Sequence, residues 1–218
     1  MKYAIILLMA IAFCSCGSND KSKTLVAATP VTNKKILAAD STRTVSQPSD
    51  SISWMDDLTN FRTALQQNDV SKMAEYFNFP FEDQGSVIWH LCDLSEEDLA
   101  TRKQTVTNPD LFYKKDLELY HEKVFNQHFK ELLAKLDMKK LYRSHTAESP
   151  EVVATDGIYK LYADYSKVDG SLSLNMSVGN NMKDEDGEYM SEGEYNIIYS
   201  FKIINNKKLV LSRLDMAG

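Results

Sequence analysis

The chain has 218 residues, of which 43% are apolar and 26% charged, with 8 glycines and 5 prolines, so wholesale disorder and low-complexity architectures are excluded. A formal net charge of −6 argues against a nucleic-acid partner, whose phosphates need a basic surface. Three cysteines are too few for a disulfide scaffold.

The first element is an address. Lys2 is followed by an uncharged run from Ala4 to Phe13, the length of a signal-peptide core and too short to span a bilayer. Cys14-Ser15-Cys16-Gly17 follows it. A small residue before a cysteine at the end of such a core resembles the lipobox of bacterial lipoproteins. Small Ser15 precedes Cys16, whereas bulky Phe13 precedes Cys14, so Cys16 is the expected acceptor of the acyl chains. The resemblance implies a signal peptide over 1–15, removed on processing, and a membrane partner reached through the lipid on Cys16. Gly17, in place of an aspartate, implies by the sorting rule of enteric-type lipoproteins the outer membrane of a cell envelope. Cys92 then remains as the single thiol, read as a small buried hydrophobe.

Residues 16–52 come next. Beyond the cysteine they hold no aromatic residue and are rich in Ser, Thr, Ala and Lys, with Pro30 and Pro48. Such a stretch cannot bury enough apolar surface to offset its ordering entropy, which predicts a disordered tether. Its flexible span would be about 30–35 Å. Residues 53–218 are then a single domain. Six basic and three acidic residues precede it, leaving 19 and 28 within it and a net charge of −9.

The domain reads as α+β. Ser53 caps a helix with Met55, Leu58, Phe61 and Leu65 on one face, ending near Asn68-Asp69. A short helix capped at Asp69 or Ser71 follows, stopped by Asn78-Phe79-Pro80-Phe81, because the residue before proline is pushed out of the helical region. Gly85 to Leu91 is apolar and β-branched and predicts a strand. Ser95 opens another helix with Asp98 three residues on, a capping-box spacing. Pro109 starts the strongest helical pattern, with Leu117, Tyr120, Val124, Phe125, Phe129, Leu132, Leu133 and Leu136 along one face.

Strands follow. They are expected over Ile158–Tyr165, from Gly170 to Val178 with Leu172, Leu174 and Met176 alternating against serines and Asn175, and over Tyr195–Ile203. Asn205-Asn206 supplies a hairpin turn, and Leu209–Leu214 closes the sheet. Helices followed by hairpin-linked strands predict N-terminal helices packed on one face of a curved antiparallel sheet. This order, with the Phe79-Pro80-Phe81 break and the Tyr195–Leu214 strands, resembles the cone-shaped, cystatin-like fold of nuclear transport factor two and its relatives. That group includes isomerases, dehydratases and pure binders, so the resemblance implies a fold and leaves function open.

Candidate sites are few. Asp184, Glu185, Asp186, Glu188, Glu192 and Glu194 crowd one segment, but setting Gly187 as a calcium-loop glycine puts Met182 and Gly193 at the first and last ligand positions, and both fail. The segment reads as a solvated hairpin tip, with an irregular calcium site as the alternative. His121 and His128 are seven residues apart, and Phe125 occupies the position a zinc-binding histidine pair needs, so no metal or other cofactor is expected. No catalytic motif is present. His90, Tyr162, Asp164 and Tyr199 are the candidate ligand contacts, available on expected strands. The functional expectation is a lipid-anchored envelope domain that binds a small ligand or an envelope protein. The alternatives are an interaction lipoprotein with a filled pocket, or a small isomerase or dehydratase using a pocket His or Asp and a Tyr.

Overall fold

A computed structural model describes residues 53–183, 185, 187 and 193–218. The expected signal peptide, Cys16 and the tether lie outside the described residues, as do Asp184, Asp186, Glu188 and Glu192 of the acidic segment. Seven α-helices precede six strands among the described residues, so the domain is α+β with a wholly antiparallel sheet. No described helix is long and apolar enough to cross a membrane.

Helix α1 (Trp54–Gln66) starts where expected. Ser53 and Asp56 form a reciprocal capping box, and Trp54, Leu58, Phe61 and Leu65 are buried. Helix α2 (Val70–Met73) is capped by Asp69 and runs into a tight turn of 3-10 helix, Ala74–Tyr76. The peptide between Phe79 and Pro80 is cis.

The expected strand over Gly85–Leu91 is instead helix α3 (Val87–Cys92). Its cap lies upstream. The Asp83 carboxylate accepts a hydrogen bond from the Ile88 amide at 2.7 Å, and Ser86 turns the chain with φ 54°. Ile88 and Cys92, four apart, then fall on one buried face. Helix α4 (Glu96–Thr105) carries the predicted Ser95–Asp98 capping box.

The long helix expected from Pro109 is two helices, neither beginning there. Residues 106–113 form a connection, α5 spans Lys114–Val124, and α6 spans Gln127–Lys135. The break falls at Asn126, whose side chain accepts from the Phe129 amide at 2.9 Å and so caps α6 while α5 ends. The apolar face continues across the break, which is why its periodicity concealed it. Helix α7 (Met138–Ser144), capped by Asp137, had no counterpart in the sequence reading.

Strands β1 (Thr146–Glu148) and β2 (Val152–Ala154) were also missed. Both are three residues long and pair with the same strand, β3 (Gly157–Ser166). The remaining strands, β4 (Ser171–Gly179), β5 (Tyr195–Ile204) and β6 (Lys208–Ala217), complete the order β1-β3-β4-β5-β6. Asn205 and Asn206 both adopt the left-handed backbone the hairpin needs, with φ 53° and 56°. A bulge between Ser200 and Phe201 shifts the β5–β6 register and bends the pair.

One sheet face meets the helices and is apolar throughout: Leu161, Leu174, Met176, Tyr199, Phe201 and Leu211 are essentially buried. Phe61 packs on Phe201 with ring centroids 5.3 Å apart, and Phe129 on Tyr199 at 4.3 Å. Asp57 on α1 ties the layers together: its carboxylate accepts from the Leu209 amide at 2.7 Å and from the Tyr76 hydroxyl at 3.3 Å.

Candidate functional site

The four candidate ligand contacts occupy three different places. Tyr199 stands on the inner face of β5 with no exposed surface, and its hydroxyl donates to the Val124 carbonyl at 2.7 Å. Burial and the neighbouring Tyr195 push its phenol well above the usual range. It is a core residue with a satisfied hydroxyl, and it leaves the set of ligand contacts. Tyr162 and Asp164, by the period of two along β3, project from the opposite face of the sheet. His90 lies on α3, not on a strand. A proton-transfer constellation of these four residues is therefore not assembled.

His90 instead borders a cavity of about 590 Å³ at one end of the domain, between the helices and the sheet. Its lining comes from distant parts of the chain: His90 and Leu91 of α3, Glu122 and Lys123 of α5, Asn126 at the α5–α6 break, Tyr195 and Ile197 of β5, and Met216 of β6, with Gly193 and Glu194 beside them. Leu91, Ile197, Met216 and the Tyr195 ring supply the apolar part. An imidazole, an ammonium and two carboxylates supply the rest.

The cavity exists because of local accidents that the sequence only partly announces. Asp83 caps α3 and so turns His90 and Leu91 towards the α5–α6 corner. Asn126 ends one helix and begins the next, leaving a notch where a continuous helix would have run. Among the described residues, the side chains of His90, Glu122 and Lys123 hold no hydrogen bond or ion pair with one another. A volume of this size, with an apolar wall and a few polar groups converging on it, fits the small-molecule sites of globular proteins, which run to roughly 300–1,000 Å³.

The thiol next to Leu91 is screened from solvent. Cys92 is free and buried, and its thiol is pushed up to about 12, first by desolvation and then by the charge of Asp116. Metal ligation finds no support in the expected histidines. His121 lies on α5 and His128 on α6, and no described cluster of three or more His, Cys, Asp or Glu side chains is placed to hold an ion. His128 stacks on Tyr159 with ring centroids 3.7 Å apart and reaches Asp156 at 3.3 Å.

A second buried polar cluster joins α4 to α5. The Arg102 guanidinium of α4 pairs with Asp116 of α5, donates to the carbonyls of Leu111 at 2.5 Å and Pro109 at 3.2 Å, and lies 4.0 Å over the Trp89 ring. Asp116 also accepts from the Tyr113 amide at 2.7 Å. Arg102 is the one buried residue of α4; every other residue of that helix is exposed. Sequence reasoning passed over this clamp because an arginine in a polar helix has no periodic signature.

Compared with known proteins, the chain matches no family model, no curated protein and no solved structure. The site must be read from its own chemistry.

Proposed function

We propose that the chain is an envelope lipoprotein, acylated on Cys16 and sorted to the outer membrane, whose domain over 53–218 binds a small amphipathic ligand in the end cavity bordered by His90. The single observation that carries the binding reading is that cavity: about 590 Å³, an apolar wall of Leu91, Ile197 and Met216, and His90, Glu122 and Lys123 at its edge. The lipid anchor is supported by Lys2, the uncharged Ala4–Phe13 core and the Ser15-Cys16-Gly17 junction. In this reading residues 17–52 are the spacer between anchor and domain, which their lack of aromatics supports.

The finer fold reading, a cystatin-like cone of the nuclear-transport-factor-two type, is supported by the helices-then-strands order and by the bulge that bends β5 and β6. A cone open at one end would put a ligand site where the end cavity lies. A protein partner is the second reading, favoured by Leu119 at 63% and Leu99 at 39% exposure on neighbouring helices.

Two experiments separate the parts of the proposal. Replacing Cys16 with Ser and fractionating cells should release the chain from the membrane; continued membrane association sinks the anchor. For the cavity, the full chain purified from its native envelope should carry a small molecule detectable by mass spectrometry. His90→Ala together with Lys123→Ala, both exposed positions of the lining, should lose it while keeping the circular dichroism spectrum. A ligand retained by that variant refutes the cavity assignment.

A further inference from the structure

The outer face of the sheet carries a second cavity, of about 440 Å³, in which Tyr162 and Asp164 stand together. Register builds it. Thr146 of β1 lies opposite Asp164, and Glu148 opposite Tyr162. On the other flank β4 sets Asn175 against Tyr162 and Ser173 against Asp164. Side chains directly opposite on one sheet face are within contact distance. The result is a patch in which a half-exposed aromatic ring, two carboxylates, an ammonium, two hydroxyls and an amide share one shallow hollow.

Charge narrows what this hollow can hold. Glu148 is engaged by Lys160 at 2.8 Å and by Lys140 at 3.9 Å. Asp164 has no ion pair and no hydrogen bond. The lining holds Lys140 against Glu148 and Asp164, and with Lys160, which borders the hollow beside Glu148, two ammonium groups and two carboxylates balance, so an ion gains little net attraction. An apolar ligand fares no better. Ala147 and Ala163 are turned to the core, at 5% and 2% exposure, and contribute only backbone. The single apolar surface on offer is the Tyr162 ring, at 43% exposure, with the Lys160 ammonium 5.1 Å from its centroid on one face and the other face left for a ligand.

What remains is a neutral molecule bearing many hydroxyls and one flat C–H face. Its face would lie on Tyr162, its hydroxyls would donate to Asp164, and the hydroxyls of Thr146 and Ser173 can both donate and accept. Asn175 adds a polar group that the protein leaves unsatisfied, since its Oδ1 is buried with no donor. An amide turned about its last torsion would offer that oxygen to a ligand hydroxyl. We propose that the hollow between β1, β3 and β4 is a binding site for a neutral saccharide, separate from the end cavity.

Isothermal titration of the full chain, held in a detergent without a sugar headgroup, tests this with maltotriose, cellotriose and chitotriose up to about 10 mM, where weak complexes are still measurable. At least one should give saturable heat. Tyr162→Ala and Asp164→Asn, both exposed positions outside the core, should each weaken it by about tenfold or more with an unchanged circular dichroism spectrum. The proposal is overturned if none of the three sugars binds, or if binding survives both substitutions. It is equally overturned if spermidine binds in an Asp164-dependent way while the sugars do not, which would make the hollow a cation site.

Discussion

Arg102 is the side chain on which the placement of α4 depends, and Arg102→Met isolates its charge because the apolar stem is kept. Arg102 and Asp116 are 8% and 5% exposed, so removing the guanidinium leaves a buried carboxylate with the Tyr113 amide as its remaining partner. Breaking a buried pair from one side costs about 3–5 kcal/mol. The carbonyls of Pro109 and Leu111 also lose their donor, but the 106–113 connection can open to water and recover most of that cost. The expected loss is therefore about 3–5 kcal/mol, a large part of the roughly 5–15 kcal/mol that stabilises an ordinary domain. At this chain length it corresponds to a fall in Tm of about 6–20 °C. Urea denaturation followed by circular dichroism measures it. Limited proteolysis should at the same time show earlier cleavage within 96–113, because no other buried side chain holds α4. Adding Asp116→Leu to Arg102→Met should recover at least about half of the loss, since the orphaned charge goes with it. A single-variant loss below about 1 kcal/mol, or no recovery in the double variant, would refute the clamp as the basis of α4 docking.

Three further expectations follow from the same geometry. Cys92 should resist a disulfide-exchange reagent at pH 8 in the native state and react at once in urea, because burial pushes its thiol up to about 12; rapid native labelling contradicts this. Asp83 has its carboxyl raised above 3.8, chiefly by burial, so the folded state binds its proton more tightly than the unfolded one. That contribution is complete below the unfolded value and is lost as pH rises through the folded one, so the wild type should lose stability relative to Asp83→Asn as pH rises from the ordinary carboxylate range, and parallel pH–stability curves would refute it. Asn206→Val forces a β-branched residue to φ 56° and should cost about 1–2 kcal/mol, whereas Asn206→Gly should be nearly neutral; equal stability of the two variants in thermal melts rejects the turn assignment.

Much of the domain was legible in its residues. The Ser53 and Ser95 caps, the alternation in β4 and the Asn205-Asn206 turn are local signals, each set by side chains within a few positions of the backbone they govern. Composition likewise carried the division into address, spacer and domain as an expectation, since entropy against apolar content is a property of a segment and not of its contacts. Tyr162, Asp164 and His90 entered the sequence reading only as polar residues available on expected strands, with no spacing to select or group them.

Tertiary structure decided the rest. Gly85–Leu91 has the residues of a strand, and the nearby Asp83 carboxylate can cap it as a helix, but it is the burial of Ile88 and Cys92 in the core that selects the helix. The apolar face running from Leu117 to Leu136 did not reveal the break at Asn126, because the buried positions of α5, which packs on α2 and α3, run on into those of α6, which packs on α1 and β3. Tyr199 and Tyr162 are alike as sequence, each a tyrosine in an alternating strand. Only the side of the sheet that the helices cover makes one a core ring bonded to Val124 and leaves the other open to a ligand. Which face is covered is a global outcome of packing, so a pattern of period two can specify that the faces differ and cannot specify what each one meets.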